Sequence, residues 1–485
     1  MKQYHRKYLF SLLTSILMFV AALMSAQTVV AQSACDGSLQ YLQQQYKNDK
    51  ATRKAFDNIY KGLKTMPEGY GYGKSRKNPW KQAKNGKGLM LAMVNMFDQW
   101  CQVLPQISGD QDNALDPILY FAWLYYQNPA GQNFVQGRDP HKPGKPLATG
   151  PVFLSMWNAE YRVFMDSQAS TGEVGQWVKD PRIEIDDYIK TKPEEYKSWN
   201  EFFARNLKTD SVGNYPSRPV TMSDRNYVIV APTDCIMNPL VQVVKYDNNY
   251  VRKYIENPLQ LDTVLDVKKI PISVQDMLGT LPDELKKKFV GGSGLTCVLM
   301  PNTYHHFHAP VDGKMIHAEI VKTGTPGTPG TFGYPDFPNW VPMDGNVGRP
   351  GTDFSQFQAF QRGVLVMKVE FDNLPNTQPA KLTGYVASIP VGLDSVGSVV
   401  LNECDADKPA DRQVNCFTKG GQVFKGKTKL GNFYFGGSLN ILLFSTVTVD
   451  GKEVQMVSPA VQTRMGNQIG IINIGSSPKS PWSLD

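Results

Sequence analysis

The apolar pattern of this chain changes period once, and that change restricts the fold class more than any other feature. From Leu39 to about Leu207, apolar residues recur at three- and four-residue spacing, the period of amphipathic helices. The spacing predicts helices over Tyr41–Met66, Gly88–Val103, Ala114–Tyr126, Val152–Met165 and Val174–Lys190. Loops rich in Gly, Pro and Lys separate them, as at Pro67–Asn85 and Asn128–Leu147. From Tyr227 onward, short runs rich in branched residues take over: Val228–Ala231, Leu295–Leu299, Val364–Phe371, Leu382–Ile389 and Ile441–Val449. Val447–Val454 reads as a hairpin on an Asp-Gly turn, and Thr323–Gly351 as a long surface excursion. The expected fold is α+β: an N-terminal helical region packed on a C-terminal β-rich domain.

The first 31 residues read as an export signal. Lys2, His5, Arg6 and Lys7 precede the apolar stretch 9–24, and small residues follow at Ser25-Ala26 and Val29-Val30-Ala31. The alternative is a retained anchor, since the run approaches the length of a membrane span. The expected division is therefore a signal over 1–31, a helical region over 32–207 and a second domain over 208–485. The formal charge is +7, and removal of 1–31, with three basic residues and no acid, leaves +4. So mild a charge allows a peripheral membrane surface but argues against nucleic acid, which calls for a concentrated basic stripe. Six cysteines, at 35, 101, 235, 297, 404 and 416, fit an oxidising compartment, periplasmic or extracellular. Cys404 with Cys416 closes a short polar loop and is the expected disulfide, with Cys235–Cys297 as a second candidate. No Cys/His spacing suggests a metal site.

The chemistry concentrates in two stretches. Phe433-Tyr-Phe-Gly-Gly-Ser-Leu-Asn440 places Ser438 behind two glycines, where the backbone bends tightly and another group can approach closely. Tyr304-His-His-Phe-His308 holds three of the six histidines, with His305 and His308 three residues apart. Asp234, in Ala-Pro-Thr-Asp-Cys after a strand-like run, supplies an acid. An acid that orients an imidazole, which takes a serine proton, is a workable relay.

Several blocks in order resemble the phosphatidylserine decarboxylase family. Trp199-Asn-Glu-Phe-Phe-Ala-Arg-Asn-Leu-Lys208 is similar to the segment leading into its catalytic domain, and Val230-Ala-Pro-Thr-Asp234 to the strand bearing its aspartate. Tyr304–Gly313 resembles its Tyr-His-x-x-His-x-Pro-x-x-Gly block, and Val386–Gly392, Val396–Val399 and Gly431–Leu443 its later strands. The resemblance implies self-cleavage between Gly437 and Ser438. His308, oriented by Asp234, would activate Ser438, which would become a pyruvoyl group that serves as covalent cofactor for decarboxylation. His305 would manage the proton that replaces the carboxylate. The sequence departs from the family pattern at Leu439, at Cys235 and at His306.

Phosphatidylserine is then the expected substrate, with the two cleavage products remaining associated and a homodimer as a candidate assembly. A lipid enzyme needs an apolar face near its site, for which 118–126 and 152–156 are candidates, against burial in the core. The long helical extension also resembles relatives acting on free aromatic amino acids, the alternative substrate class. Two other classes stay open: an Asp–His–Ser hydrolase, though no Gly-x-Ser-x-Gly surrounds Ser438, and an unprocessed binding protein.

Overall fold

The structure, a computed structural model, describes residues 34–63, 78–105, 116–125, 128–135, 137, 147–246, 249–255, 258–267, 270–321, 362–371, 382–393, 399–401, 421–435, 437–449, 452–454 and 462–471. The expected signal, the excursion over Thr323–Gly351 and Cys404–Cys416 lie outside these residues.

The N-terminal region is helical, as its periodicity predicts, but with different breaks. The helices are α1 (Asp36–Asn48), α2 (Lys50–Gly62), α3 (Gly86–Trp100), α4 (Asp116–Tyr125), α5 (Pro129–Val135), α6 (Thr149–Met165), α7 (Val174–Lys179) and α8 (Trp199–Phe203). The helix expected over Tyr41–Met66 is two helices. Asp49 between them is extended, and its carboxylate accepts the amides of Ala51 and Thr52, which starts a new helix with a new N-cap. The helix expected over Val174–Lys190 stops at Lys179 because Asp180-Pro181 follows and Asp180 caps a 3-10 turn. In the candidate membrane face over 118–126, Phe121, Trp123 and Leu124 belong to the core: they have no exposure, and Phe121 meets Phe97 edge-on at 5.0 Å. In the second candidate, Phe153 and Leu154 are likewise buried. Among the described residues, no helix is long and apolar enough to cross a membrane.

Among the described residues a disulfide, Cys35–Cys101, joins the start of α1 to the end of α3 across 66 residues. It was not among the expected pairs. Cys235 and Cys297, the second candidate pair, are buried free thiols. Cys297 stands opposite Met237 in the ladder, so the two thiols are diagonal neighbours rather than a directly facing pair.

The strands are β1 (Val228–Val230), β2 (Cys235–Pro239), β3 (Val241–Tyr246), β4 (Asn249–Tyr254), β5 (Val264–Val267), β6 (Ile270–Ser273), β7 (Ser293–Leu299), β8 (His306–His308), β9 (Gly313–Val321) and β10 (Arg362–Phe371). There follow β11 (Leu382–Leu393), β12 (Val399–Leu401), β13 (Gln422–Val423), β14 (Lys429–Phe433), β15 (Gly437–Phe444), β16 (Val447–Val449), β17 (Lys452–Val454), β18 (Gln462–Thr463) and β19 (Gln468–Ile471). The principal sheet runs β13-β9-β10-β11-β15-β7-β2-β18 and is antiparallel throughout, with β15 between β11 and β7. A smaller sheet has the order β12-β14-β8, and a third, β4-β3-β5-β6. The expected hairpin pairs Val447 with Val454.

Strand alternation gives the principal sheet two buried faces. Leu439, Ile441 and Leu443 of β15 join one core with Ala387, Ile389 and residues of β5 and β6. Leu442 and Phe444 face the other way, into a core that also holds Phe307, Phe433, Trp199, Phe203 and the helical residues back to Cys35. Ser438 and Asn440 share the parity of Leu442, so they lie on this second face, toward the helical region.

Candidate active site

Ser438 is the second residue of β15, and its ladder partners are Gly392 of β11 and Leu299 of β7. It is 1% exposed. Two connections bring the histidines to it. Leu299, opposite Ser438, leads directly through 300–303 into Tyr304 and His305. From the other side, Phe433 at the end of β14 donates its N–H to the His305 carbonyl at 2.8 Å, and β8 pairs with β14 through His308 opposite Lys429. The stretch from β14 to β15 is therefore tied to the histidine segment just ahead of the Gly437–Ser438 bond.

His305 is 1% exposed, and its ring lies 3.7 Å from that of Phe203, tilted by 31°. Its Nδ1 bonds the Thr303 carbonyl at 2.9 Å, which places the proton of the neutral ring on Nδ1 and leaves Nε2 as the acceptor. Burial first, and then the charge of Arg205, hold its pKa well below the usual 6.5. Arg205 is buried, lies 4.4 Å over the Tyr188 ring and donates to the carbonyls of Asn302 and Thr303, so it grips the same turn that orients His305. His306 bonds the Ala204 carbonyl through Nε2 at 2.8 Å, and burial draws its pKa down to about 3. It stacks at 5.0 Å on Tyr304 and locks the segment in place.

His308 departs from the relay expected of it. Its Nε2 is 2.9 Å from the Tyr304 hydroxyl, and it makes no hydrogen bond with Asp234. The Asp234 carboxylate is engaged elsewhere: Arg218 donates Nε to Oδ1 at 3.0 Å and Nη2 to Oδ2 at 2.9 Å, and the Met465 amide donates to Oδ1 at 2.8 Å. The cause is Arg218 itself. Buried to 2% exposure, its guanidinium requires counter-charge and takes Asp234 together with Asp187 at 2.7 Å. Burial opposes the charge, but Asp234 outweighs it and raises the Arg218 pKa. The Nδ1 of His308 meets no well-aligned hydrogen-bond partner, and the backbone of Gly426 and Lys427 beside the ring only partly offsets its burial. Burial, reinforced by His306 and Lys429, keeps this imidazole neutral.

Three further residues were not singled out in the sequence. Tyr304 supplies the hydroxyl on His308. Asn440 is fully buried on the face of Ser438; its Oδ1 accepts from Ser388 at 3.1 Å, while its Nδ2 is an unpartnered donor. Lys429 has its pKa lowered to about 8 by burial, with Nζ on Asn206 Oδ1 at 2.5 Å. Beside His308, whose ring meets Tyr215 edge-on at 5.0 Å, a cavity of about 310 Å³ is lined by Tyr215, Arg218, Val220, Gly426 and Lys427. Among the described residues no cluster could hold a metal ion.

A buried serine at the foot of a central strand, preceded by glycine and tied to a buried histidine segment, is the arrangement the ordered sequence blocks anticipate. The family model for phosphatidylserine decarboxylase matches residues 199–471. The chain belongs to that family. Its relatives include the phosphatidylserine decarboxylase proenzyme of Clostridium novyi (strain NT), 25% identical over 384 residues that cover 78% of this chain and 99% of that protein. The proenzyme of the same name from Saccharophagus degradans is 26% identical over 290 residues, 59% of this chain and 82% of the relative. A protein of Amanita muscaria named Decarboxylase iboD is 26% identical over 250 residues, 51% of this chain and 58% of its own length. The chain is thus a carboxy-lyase of a family whose members are made as proenzymes.

Proposed function

We propose that this chain matures by cleaving itself between Gly437 and Ser438 and then decarboxylates phosphatidylserine to phosphatidylethanolamine and CO₂. The observation that carries the reading is the burial of Ser438 between Gly392 and Leu299, with the preceding segment hydrogen-bonded to His305. In the cleavage, Ser438 Oγ adds to the Gly437 carbonyl carbon as its proton passes to a base. The Gly437–Ser438 C–N bond then breaks, its nitrogen takes the proton, and an ester remains. Loss of the Ser438 α-proton expels the Gly437 carboxylate, and the residual dehydroalanine takes up water and releases ammonia. His308 is the base in this reading, ready because burial keeps it neutral, with Tyr304 rather than Asp234 on its Nε2. Asp234 acts one step back, by neutralising Arg218 beside the site.

The residues fit a pyruvoyl group at position 438, because the unpartnered Asn440 Nδ2 offers a buried donor on the same strand face. Such a group supplies an electron-withdrawing ketone that captures an amine and accepts the electron pair released as CO₂ departs. Around it, Asn440 would donate to a substrate or cofactor oxygen, and Phe203 and Phe435 would exclude water. His305, with Nδ1 fixed by Thr303, would deliver the replacing proton from Nε2 once it has gained one. The name shared by the relatives that cover most of their own length supports phosphatidylserine over a free amino acid. The disulfide between Cys35 and Cys101 supports export to an oxidising compartment, where the enzyme would meet lipid at a membrane surface.

Intact mass under reducing, denaturing conditions tests the first half: two species parted between residues 437 and 438 are expected from the native chain and one from Ser438→Ala. A native chain that stays whole would sink the proposal. CO₂ release from phosphatidylserine vesicles, set against release from free aromatic amino acids, tests the second half. Turnover confined to the free amino acids would transfer the enzyme to the alternative substrate class.

A further inference from the structure

We propose that Asn200 is a positioning residue for self-cleavage, one that fastens the Tyr434–Phe435 segment to the C-terminal end of α6 through Asp166. The proposal rests on the Gly437–Ser438 reading above. Asn200 is 1% exposed and sits in the first turn of α8, which Ser198 caps by accepting the Glu201 amide at 3.1 Å. Its Nδ2 donates to Asp166 Oδ1 at 2.8 Å, and its Oδ1 accepts the Phe435 amide at 3.0 Å. The two bonds enforce each other. A carboxylate can only accept, so the amide nitrogen must face Asp166, and the amide oxygen must then face Phe435.

The neighbouring contacts bind the same short segment. Asp166 follows the last residue of α6 and lies 3.7 Å from Arg162 Nε through Oδ2, and the Arg162 guanidinium stands 5.4 Å over the Tyr434 ring. The Phe435 ring meets Trp199 at 6.0 Å and Phe203 at 5.5 Å, both edge-on, and Phe203 is the ring packed on His305. Phe433, Tyr434 and Phe435 are therefore held in turn by the His305 carbonyl, by α6 and by α8. The reason such a clamp matters is the pair of glycines that follows. Glycine has the largest backbone freedom of any residue, so Gly437, which the β11 ladder holds only from its downstream side through Leu393, needs a second hold upstream. Attack by Ser438 Oγ requires the reacting atoms about 3 Å apart and aligned. The nearest non-glycine residue upstream is Phe435, and its amide is the one Asn200 holds. Alongside the ring contacts of Arg162, Trp199 and Phe203, the Asn200 carboxamide is thus the hold of the helical region on the backbone just ahead of the scissile bond.

The test is the rate at which full-length precursor disappears, followed by intact mass, in Asn200→Asp, Asp166→Asn and the double exchange. Asn200→Asp sets two carboxylates against each other and is expected to slow cleavage about tenfold or more, the scale of losing one hydrogen bond to a charged group. Asn200→Asp with Asp166→Asn reverses the donor and acceptor while keeping both bonds, and is expected to return the rate to within about threefold of the native one. Decarboxylation per mole of matured protein is expected to be unchanged in the double exchange. Native-rate cleavage in Asn200→Asp overturns the proposal, as does a double exchange no faster than the single. A native chain that never cleaves overturns it together with the reading beneath it, so the two failures are told apart by the native control alone.

Discussion

Arg218 links stability and chemistry at the residue scale. Its guanidinium is enclosed by Asp234, Asp187 and Glu184, with its side chain 1% exposed. Removing one partner of a buried ion pair leaves the other charge uncompensated, at a cost of about 3–5 kcal/mol. Asp187 and Glu184 remain, so Asp234→Ala is expected to cost about 3 kcal/mol, read as a shift in urea unfolding of an uncleavable Ser438→Ala background. Unchanged stability would mean that Asp234 does not serve chiefly as the counter-ion. A second expectation concerns Tyr304→Phe, which deletes the hydroxyl on His308 Nε2 without emptying the ring site. Maturation is expected to slow by about tenfold while the melting temperature stays within a few degrees, and a native maturation rate would remove Tyr304 from the proton pathway. The sequence made Asp234, His305, His308 and Ser438 legible because their residue types and spacing carry chemistry. It could not show which group Asp234 would bond. That outcome depends on competition with Arg218, sixteen residues earlier and buried only by the tertiary fold.

At the scale of elements, alternation and helical spacing were legible wherever a segment buries one continuous face. In the principal sheet β7, β10, β11 and β15 fall close to the expected runs, since each alternates between two cores, whereas β2, β9, β13 and β18 were not among them. The misreadings lie where a local polar residue outweighs apolar spacing. Asp49 interrupts an apolar pattern that continues across it, and its cap to Ala51 and Thr52 decides the break. The Cys35–Cys101 bridge was illegible for a related reason, because its ends meet only after α1, α2 and α3 fold back on one another. By the chain-entropy account, closing a loop of 66 residues contributes about 4 kcal/mol. Cys35→Ser with Cys101→Ser is therefore expected to lower the urea midpoint substantially, and to make tryptophan fluorescence near Trp100 and Trp157 change earlier in the titration. A double variant as stable as the parent in both readouts would place the bridge outside the stability of this region.

Across the whole molecule, one apolar core runs from Cys35 and Leu39 through Trp199 and Phe203 to Phe433 and Ile469, so no hydrated boundary separates the helical and β-rich regions. The buried histidine segment lies beside this shared core and gives the molecule an acid sensitivity in a defined window. In the folded chain, burial keeps His305, His306 and His308 neutral, with the His306 pKa at about 3 and the other two well below the usual value. Once unfolded, each takes up a proton near pH 6.5. Between the folded and unfolded values the unfolded state binds more protons, so stability falls as pH drops through about 6.5 and is insensitive to these groups only above about pH 7.5. One unit below, at pH 5.5, the loss is about 1.4 kcal/mol for each histidine and about 4 kcal/mol for all three. Carboxylates titrate lower, near pH 4 in the unfolded chain, so the interval from 7.5 to 5.5 reports mainly on histidine. Urea midpoints of Ser438→Ala at pH 7.5, 6.5 and 5.5 should fall by the equivalent of about 1 kcal/mol between the first two and about 3 kcal/mol more at the third. Replacing His306 with Asn, which can still donate to the Ala204 carbonyl, should remove about a third of that drop. A profile flat down to pH 5.5 would show that these imidazoles protonate as readily folded as unfolded, and that the enclosed, neutral site described around Ser438 opens to water in solution.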